Sequence, residues 1–324
     1  MNILSNIAEA LDQSKIRFKI PGADCRLAVR SFSINERISD CFTLSVNLVG
    51  TDEIKEPEKL LEQEAILTVS GEPDDRHFHG IINNFVLSGT NGRFYLYEAR
   101  VVPSLWFLTL NQDCRIFQEM TVPEIVKKIL EENKLDSEKF QFWLMGKHEP
   151  RRYCVQYRET DLAFISRILE EEGIYYFFEH SENKHLLIFG DSTMAYKPVD
   201  GDTVIEYRSG GGMVATEETI FSLLMAQTVS SDLIVQTAHN FKKPSMWQET
   251  KAESKKNTKY EIYDFPHNYG YPEDGHRLAK QRLEEHKMLE QVASGSGNCS
   301  RLAPCRIFTL SGHDYSCWTK SMFS

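Results

Sequence analysis

The stretch from Arg152 to His180 constrains the fold most, because it leaves almost no connecting residues between successive elements. It reads as a short strand, a capped helix and an aromatic strand. Leu162, Ile165, Ile168 and Leu169 recur at helical spacing on one face, and Gly173 stands where a helix ends in the left-handed conformation. Ile174 to Phe178 is too bulky and aromatic for anything but a strand. The spacing predicts a packed β-α-β unit, with Leu162, Ile165, Ile168, Leu169, Tyr175 and Phe177 among the centre of its core. The aromatic run Tyr175-Tyr176-Phe177-Phe178 reads as buried strand, not as a ligand cage. The acidic triplet Glu170-Glu171-Glu172 reads most simply as a solvated helix end, although three acids there oppose the helix dipole.

A chain of 324 residues has room for two or three domains and a sizeable core. Its formal net charge of −10 argues against a nucleic-acid binder, since phosphate affinity needs a basic surface. Met1 to Lys15 lacks the apolar block and cleavage site of a signal peptide, and no stretch reaches the roughly 18 apolar residues that a membrane helix requires. The expectation is synthesis in the cytosol, with any export bypassing the signal-peptide route. Cys25, Cys41, Cys114, Cys154, Cys299, Cys305 and Cys317 are scattered and odd in number, so reduced, mostly buried thiols are expected.

The first hundred residues carry six strand signals: Ile16 to Ile20, Arg26 to Asn35, Cys41 to Leu48, Ala65 to Ser70, Phe78 to Leu87 and Phe94 to Val102. Such a succession suggests an antiparallel barrel or sandwich, with a short helix at Pro57 to Glu62 capping one end. Leu105 to Leu108 looks like a buried helical turn or an entry strand. Thr121, Pro123 and Glu124 then form a capping box with proline in the first turn. The helix that follows buries Ile125, Val126, Ile129 and Leu130 and closes at Asn133 and Lys134. His185 to Phe189 reads as the return strand from Tyr175 to Phe178, with the turn at Ser181 to Lys184. Residues 190–214, with Ser209 and Gly210 to Gly212, read as a passage into a second all-β region. Its expected strands are Ile220 to Gln227, Leu233 to Phe241, Gln248 to Glu253 and Lys259 to Tyr263. After a turn at Pro266 to Asp274 come a polar helix, Gly275 to Val292, and a last strand at Arg306 to Leu310. Ser294 to Gly297 reads as a flexible loop behind that helix. A strand-rich block with one helix thus occurs twice around a mixed centre.

Chemistry is thinly signalled. His77 and His79 alternate on one strand, so both imidazoles could meet one ion, but no third ligand is identifiable, and two surface histidines beside Arg76 fit equally well. Cys299 and Cys305 lack the second pair or nearby histidine that a zinc site needs. No nucleophile elbow, zinc-protease helix, phosphate loop or dinucleotide fingerprint occurs.

The wording of 152–180 resembles the hallmark segment of VgrG, the trimeric spike family of bacterial type VI secretion systems, itself related to the hub of contractile phage tails. Other stretches are similar to the same family and occur in its order: Phe78-His79-Gly80-Ile81, Pro103 to Trp106 through Asp113 to Gln118 into the Val122 helix, Tyr263 to Pro266, and Gly297 through Pro304 to Leu310. Together they cover roughly residues 10–312. The resemblance implies an α+β, mainly β fold: two related antiparallel β-barrel tube domains with an inserted α+β region. The expected division is 1–112 for the first barrel, 113–212 for the insertion, 213–316 for an incomplete second barrel, and 317–324 for an out-of-frame tail. It implies a homotrimer forming a pseudo-sixfold ring that docks on the hexameric Hcp tube and on baseplate proteins. The expected role is structural, supporting effector delivery, with no enzymatic activity, no catalytic, cofactor-binding or metal-binding residue and no cofactor. Nucleic-acid binding and direct membrane insertion are not expected, and the parent family is exported through the type VI machine.

Two departures from the family bear on this. Cys305 occupies a position where the family usually has glycine, so a positive φ there would add strain on the order of 1 kcal/mol. The chain also ends at Ser324, before the family's OB-fold and β-helical spike. Read one base over, codons compatible with the tail from Cys317 to Phe323 permit Leu-Asp-Glu-Glu-Tyr-Val-Leu, similar to the family's continuation. The expectation is a frameshift near codon 317 that removes the closing strand of the second barrel and leaves an open sheet edge. The alternatives are a truncated pseudogene product without activity and, more remotely, a secreted hydrolytic effector.

Overall fold

Alternating burial along the first hundred residues builds one sheet. In a computed structural model, residues 15–71, 74–209, 218–240, 242–254, 259–265, 269, 272–313 and 321–323 are described. The N-terminal segment 1–14, the glycines Gly210 to Gly212, the turn beginning at Pro266 and the tail residues Cys317 to Lys320 lie outside them. Strands β1 (Ile16–Lys19), β2 (Leu27–Asn35), β3 (Thr43–Gly50), β4 (Glu64–Val69), β5 (Arg76–Thr90) and β6 (Tyr95–Val102) match the six expected from sequence. Every pairing is antiparallel, in the order β1-β4-β5-β6-β3-β2. The two end strands of that order, β1 and β2, approach one another, so the sheet is a nearly closed barrel. Leu44, Val46 and Leu48 point inward at period two and meet Leu67, Ile82 and Val101 in its core. The 3-10 turn Pro57–Leu60 adds Leu60 to that core, as a cap would.

The middle region begins with the 3-10 turn Ser104–Thr109, followed by β7 (Gln112–Phe117) and α1 (Val122–Glu132). Then come β8 (Phe140–Trp143), β9 (Cys154–Thr160), α2 (Asp161–Glu172), β10 (Tyr175–His180) and β11 (His185–Gly190). The capping box is present: the Thr121 hydroxyl accepts from the Glu124 N–H, and the Glu124 carboxylate accepts from the Thr121 N–H. Ile125, Val126, Ile129 and Leu130 of α1 face Phe164, Ile165, Ile168 and Leu169 of α2 across one core. Gly173 ends α2 with φ of 68°.

Four local expectations change. The strands flanking α2 belong to different sheets: β9 pairs with β7, whereas β10 pairs with β11, which runs parallel to β8. The parity of β10 is the reverse of the expected one. Tyr176 and Phe178 enter the main middle core, while Phe177 is buried with Ile188, Ala195 and Cys305 on the other face and Tyr175 packs against that smaller cluster. Leu162 is half-buried at the edge of the main core. Glu172, expected in solvent, is 6% exposed, because Arg151, Arg277 and His148 converge on its carboxylate.

The second strand-rich block comprises β12 (Lys197–Pro198), β13 (Val204–Tyr207), β14 (Thr219–Gln227), β15 (Leu233–Thr237), β16 (Glu249–Glu253), β17 (Glu261–Asp264), α3 (Pro272–Met288), β18 (Gln291–Gly297), β19 (Arg306–Ser311) and β20 (Ser321–Phe323). One sheet runs β12-β19-β13-β14-β18 and contains parallel pairs; a three-stranded sheet, β16-β15-β17, is covered by α3. β12 and β13 therefore join this block although they lie in the stretch read as a passage. Ser294 to Gly297, expected as a loop, is a strand: β18 pairs antiparallel with β14 from Gln291 to Gly297. Backbone pairing overrides the loop-like composition, and the small residues allow close approach. The edge expected to be bare carries three paired residues, since β20 runs antiparallel to Ile307–Thr309 of β19. No helix among the described residues is long and apolar enough to cross a membrane.

Candidate functional site

Three histidines meet where the first barrel touches the β10–β11 hairpin. His79 comes from β5, while His180 and His185 face one another in register at the turn end of the hairpin. His79 and His185 are 3% and 6% exposed. His79 Nδ1 lies 3.0 Å from His185 Nδ1, and the backbone N–H of His79 points at His180 Nδ1, 3.2 Å away. His185 Nε2 lies 3.0 Å from the Ser104 backbone N and 2.9 Å from the Ser104 hydroxyl. Two carboxylates flank the group, with Glu36 3.4 Å from His180 Nε2 and Glu64 3.7 Å from His79 Nε2. Phe42 packs edge-on against His180 and His185, with Phe78 and Phe178 beside them. Gly80, next to His79, has no room for a side chain: a Cβ there would sit 2.7 Å from Val101 Cγ1 and 2.8 Å from the Val102 carbonyl. Glycine thus lets β5 carry His79 close against β6.

Burial sets the electrostatics. Desolvation pulls the His79 imidazole below its ordinary range, with the Glu64 charge opposing and His180 assisting. His185 lies well below that range, again chiefly through burial, with His79, His180 and Lys139 adding repulsion. The Ser104–His185 contact has the reach of a nucleophile and its base. However, both residues are buried, the same imidazole nitrogen receives the Ser104 backbone N–H, and the adjacent cleft, lined by His77, His180, Arg76 and Arg306, is bordered by neither.

Only part of this was legible in the sequence. The sequence points to His79, but its partners are His180 and His185 and not His77, whose Nδ1 lies 3.1 Å from the Thr68 hydroxyl. The surface reading fails for His79. Among the described residues no group of three or more His, Cys, Asp or Glu side chains has a metal-holding arrangement. Cys299 lies against Glu218, and Cys305 is buried with Phe177. The partnership of β5 with a hairpin about a hundred residues later had no local signal.

Two further junctions tie the blocks together. Arg76 of β5 donates to the carbonyls of Ser300 and Leu302, the latter at 2.7 Å, and pairs with Glu36 at 3.0 Å. Glu172 at the end of α2 pairs with Arg277 of α3 at 3.0 Å and with Arg151 at 3.0 Å, and lies 3.3 Å from His148, whose other nitrogen is 3.3 Å from Asp191. Burial alone would raise the Glu172 carboxyl, but hydrogen bonds from His148, Arg151 and Arg277 and the charge of Arg151 bring it down to about 2.

The family model described as phage tail baseplate hub (GPD) matches residues 35–321. The type VI secretion system spike protein VgrG1b of Pseudomonas aeruginosa is 32% identical over 241 residues, 74% of this chain and 32% of the relative. VgrG4b of the same organism is 29% identical over 313 residues, 95% of this chain and 38% of the relative. The chain thus spans about a third of the length of these two curated relatives. Among solved structures, the E. coli c3393 protein, described as a type VI secretion component similar to the T4 phage tail proteins gp27 and gp5, superposes with a TM-score of 0.73. That match has 22% identity over 95% of this chain and 70% of the other. The prophage MuSo2 43 kDa tail protein of Shewanella oneidensis gives a TM-score of 0.62 at 10% identity, over 95% of this chain and 92% of the other.

Proposed function

The chain belongs to the phage tail baseplate hub (GPD) family, and from that premise we propose that it is a structural hub component of a type VI secretion puncturing device. The observation that carries this reading is the continuity of the match, which runs from the first barrel through the middle region to the last sheet and meets spike proteins as relatives. In this reading three copies assemble into a ring and dock on the Hcp tube, acting by shape and contact. The domain division is part of the proposal: a first barrel to residue 112, an inserted region to residue 212, then the second strand-rich block. Synthesis in the cytosol and export through the secretion machine belong to it too. Light scattering coupled to size separation is expected to show a weak trimer that dissociates on dilution, and the trimer is expected to bind the Hcp ring. A tight dimer that survives dilution counts against the hub.

A hydrolytic role is the second reading, favoured only by the 2.9 Å contact between Ser104 and His185. A serine-directed fluorophosphonate probe separates the two: covalent labelling of Ser104 in the folded protein would support the enzyme.

A further inference from the structure

We propose that His79 and His185, packed beside His180, form an acid-opened latch fastening the β10–β11 hairpin to the first barrel. The proposal goes beyond the hub reading and stands on the direction of the hydrogen bonds. A backbone N–H can only donate, so the Ser104 N–H makes His185 Nε2 an acceptor. The single proton of neutral His185 therefore sits on Nδ1 and points at His79 Nδ1, 3.0 Å away. His79 Nδ1 must accept, which places the His79 proton on Nε2, facing Glu64. His180 Nδ1 lies 3.2 Å from both the N–H and the carbonyl oxygen of His79, so it can accept from the one or donate to the other, while its Nε2 faces Glu36. In His79 and His185 each acceptor nitrogen is thus already filled, by the neighbouring imidazole or by a backbone N–H. An added proton has nowhere to go without breaking one of the bonds that join β5, the Ser104 turn and the hairpin.

The surroundings offer little compensation. Glu64 is the carboxylate facing from β4, with a side chain 53% exposed. Glu36, facing from the segment after β2, is already held by Arg76. Lys139, ahead of β8, adds positive charge, while Phe42, Phe78 and Phe178 fill the remaining faces. The sign follows from the depressed affinities of His79 and His185. The unfolded or opened state binds more protons, so the junction is full strength above the ordinary histidine range and weakens as pH falls below about 6.5.

The test uses the full chain. Hydrogen exchange, corrected for its intrinsic pH dependence, is followed from about pH 7.5 to about pH 5. The His79 and Ser104 amides are expected to lose protection at least about tenfold more than amides in the β3–β6 ladder. His185→Gln keeps an acceptor and a donor but cannot titrate, which leaves only His79 of the pair to take up a proton, so its junction is expected to lose less protection in acid than the wild type. An equal acid response in wild type and H185Q overturns the latch. If H185Q does not fold, imidazole nitrogen shifts of the wild type decide. Neutral His185 protonated on Nδ1 and charging together with amide release supports the latch; an imidazolium at His185 beside a protected Ser104 amide overturns it.

Discussion

At the scale of single residues, Cys305 carries a visible conflict. Its φ is 60°, a left-handed conformation that glycine adopts freely and that costs a side chain on the order of 1 kcal/mol. Yet its thiol is 2% exposed among Phe177, Ile188 and Ala195. Cys305→Ala keeps the strain and loses contacts; Cys305→Gly loses contacts but relieves the strain. Thermal denaturation is expected to place the glycine variant above the alanine variant by about 0.5–1 kcal/mol, and the reverse order would mean the backbone is not strained there. Glu172 offers a second test. With its carboxyl at about 2 it binds protons less readily folded than unfolded, so its contribution is complete above about 4.5 and is lost as pH falls through that interval. Glu172→Gln is expected to cost about 3 kcal/mol near neutrality and to flatten the acid limb of a stability profile. The strain at 305 was legible because a family-typical glycine was missing from a short motif. The burial of Glu172 was not, since Arg151 lies 21 residues back and Arg277 lies 105 residues on.

At the scale of elements, period decided what could be read. The α2 face Ile165, Ile168 and Leu169 repeats every three to four residues, and all three are buried. Ile165→Asp puts an unpaired charge at a fully buried position and is expected to cost on the order of 4 kcal/mol. An unchanged denaturation midpoint would show the helix turned the other way. Strands gave up less. Tyr175 to Phe178 has four aromatic residues in a row, so composition marks a strand but not which face is which, and a slip of one residue exchanges the two. β18 failed for another reason: Gln291 to Gly297 has neither alternation nor bulk, and only the β14 backbone opposite makes it a strand.

On the scale of the whole molecule, three junctions hold separately built blocks together: the histidine latch, Glu172 and Arg76. The barrel core and the middle core are distinct clusters bridged by Phe42, which packs on Phe178, and these junctions add to that contact in making the blocks unfold as one. Arg76→Gln removes the grip on Ser300 and Leu302 and leaves Glu36 with His180 alone beside it. Calorimetry is expected to resolve the single melt into two transitions, the earlier one about 2 kcal/mol less stable than the parent. A single unshifted transition would show that the seam contributes nothing.

The same arginine bears on how the molecule is made. All six barrel strands lie within the first 102 residues, so that unit is complete early in translation. The carbonyl of Ser300 that Arg76 holds lies 224 residues further along. At about 5–20 residues per second a ribosome takes roughly 10 to 45 seconds to deliver it. Throughout that interval the Arg76 guanidinium holds Glu36 but lacks its carbonyl partners, whereas His79 waits only for His185, 106 residues on, so this face of the barrel closes in two stages during synthesis.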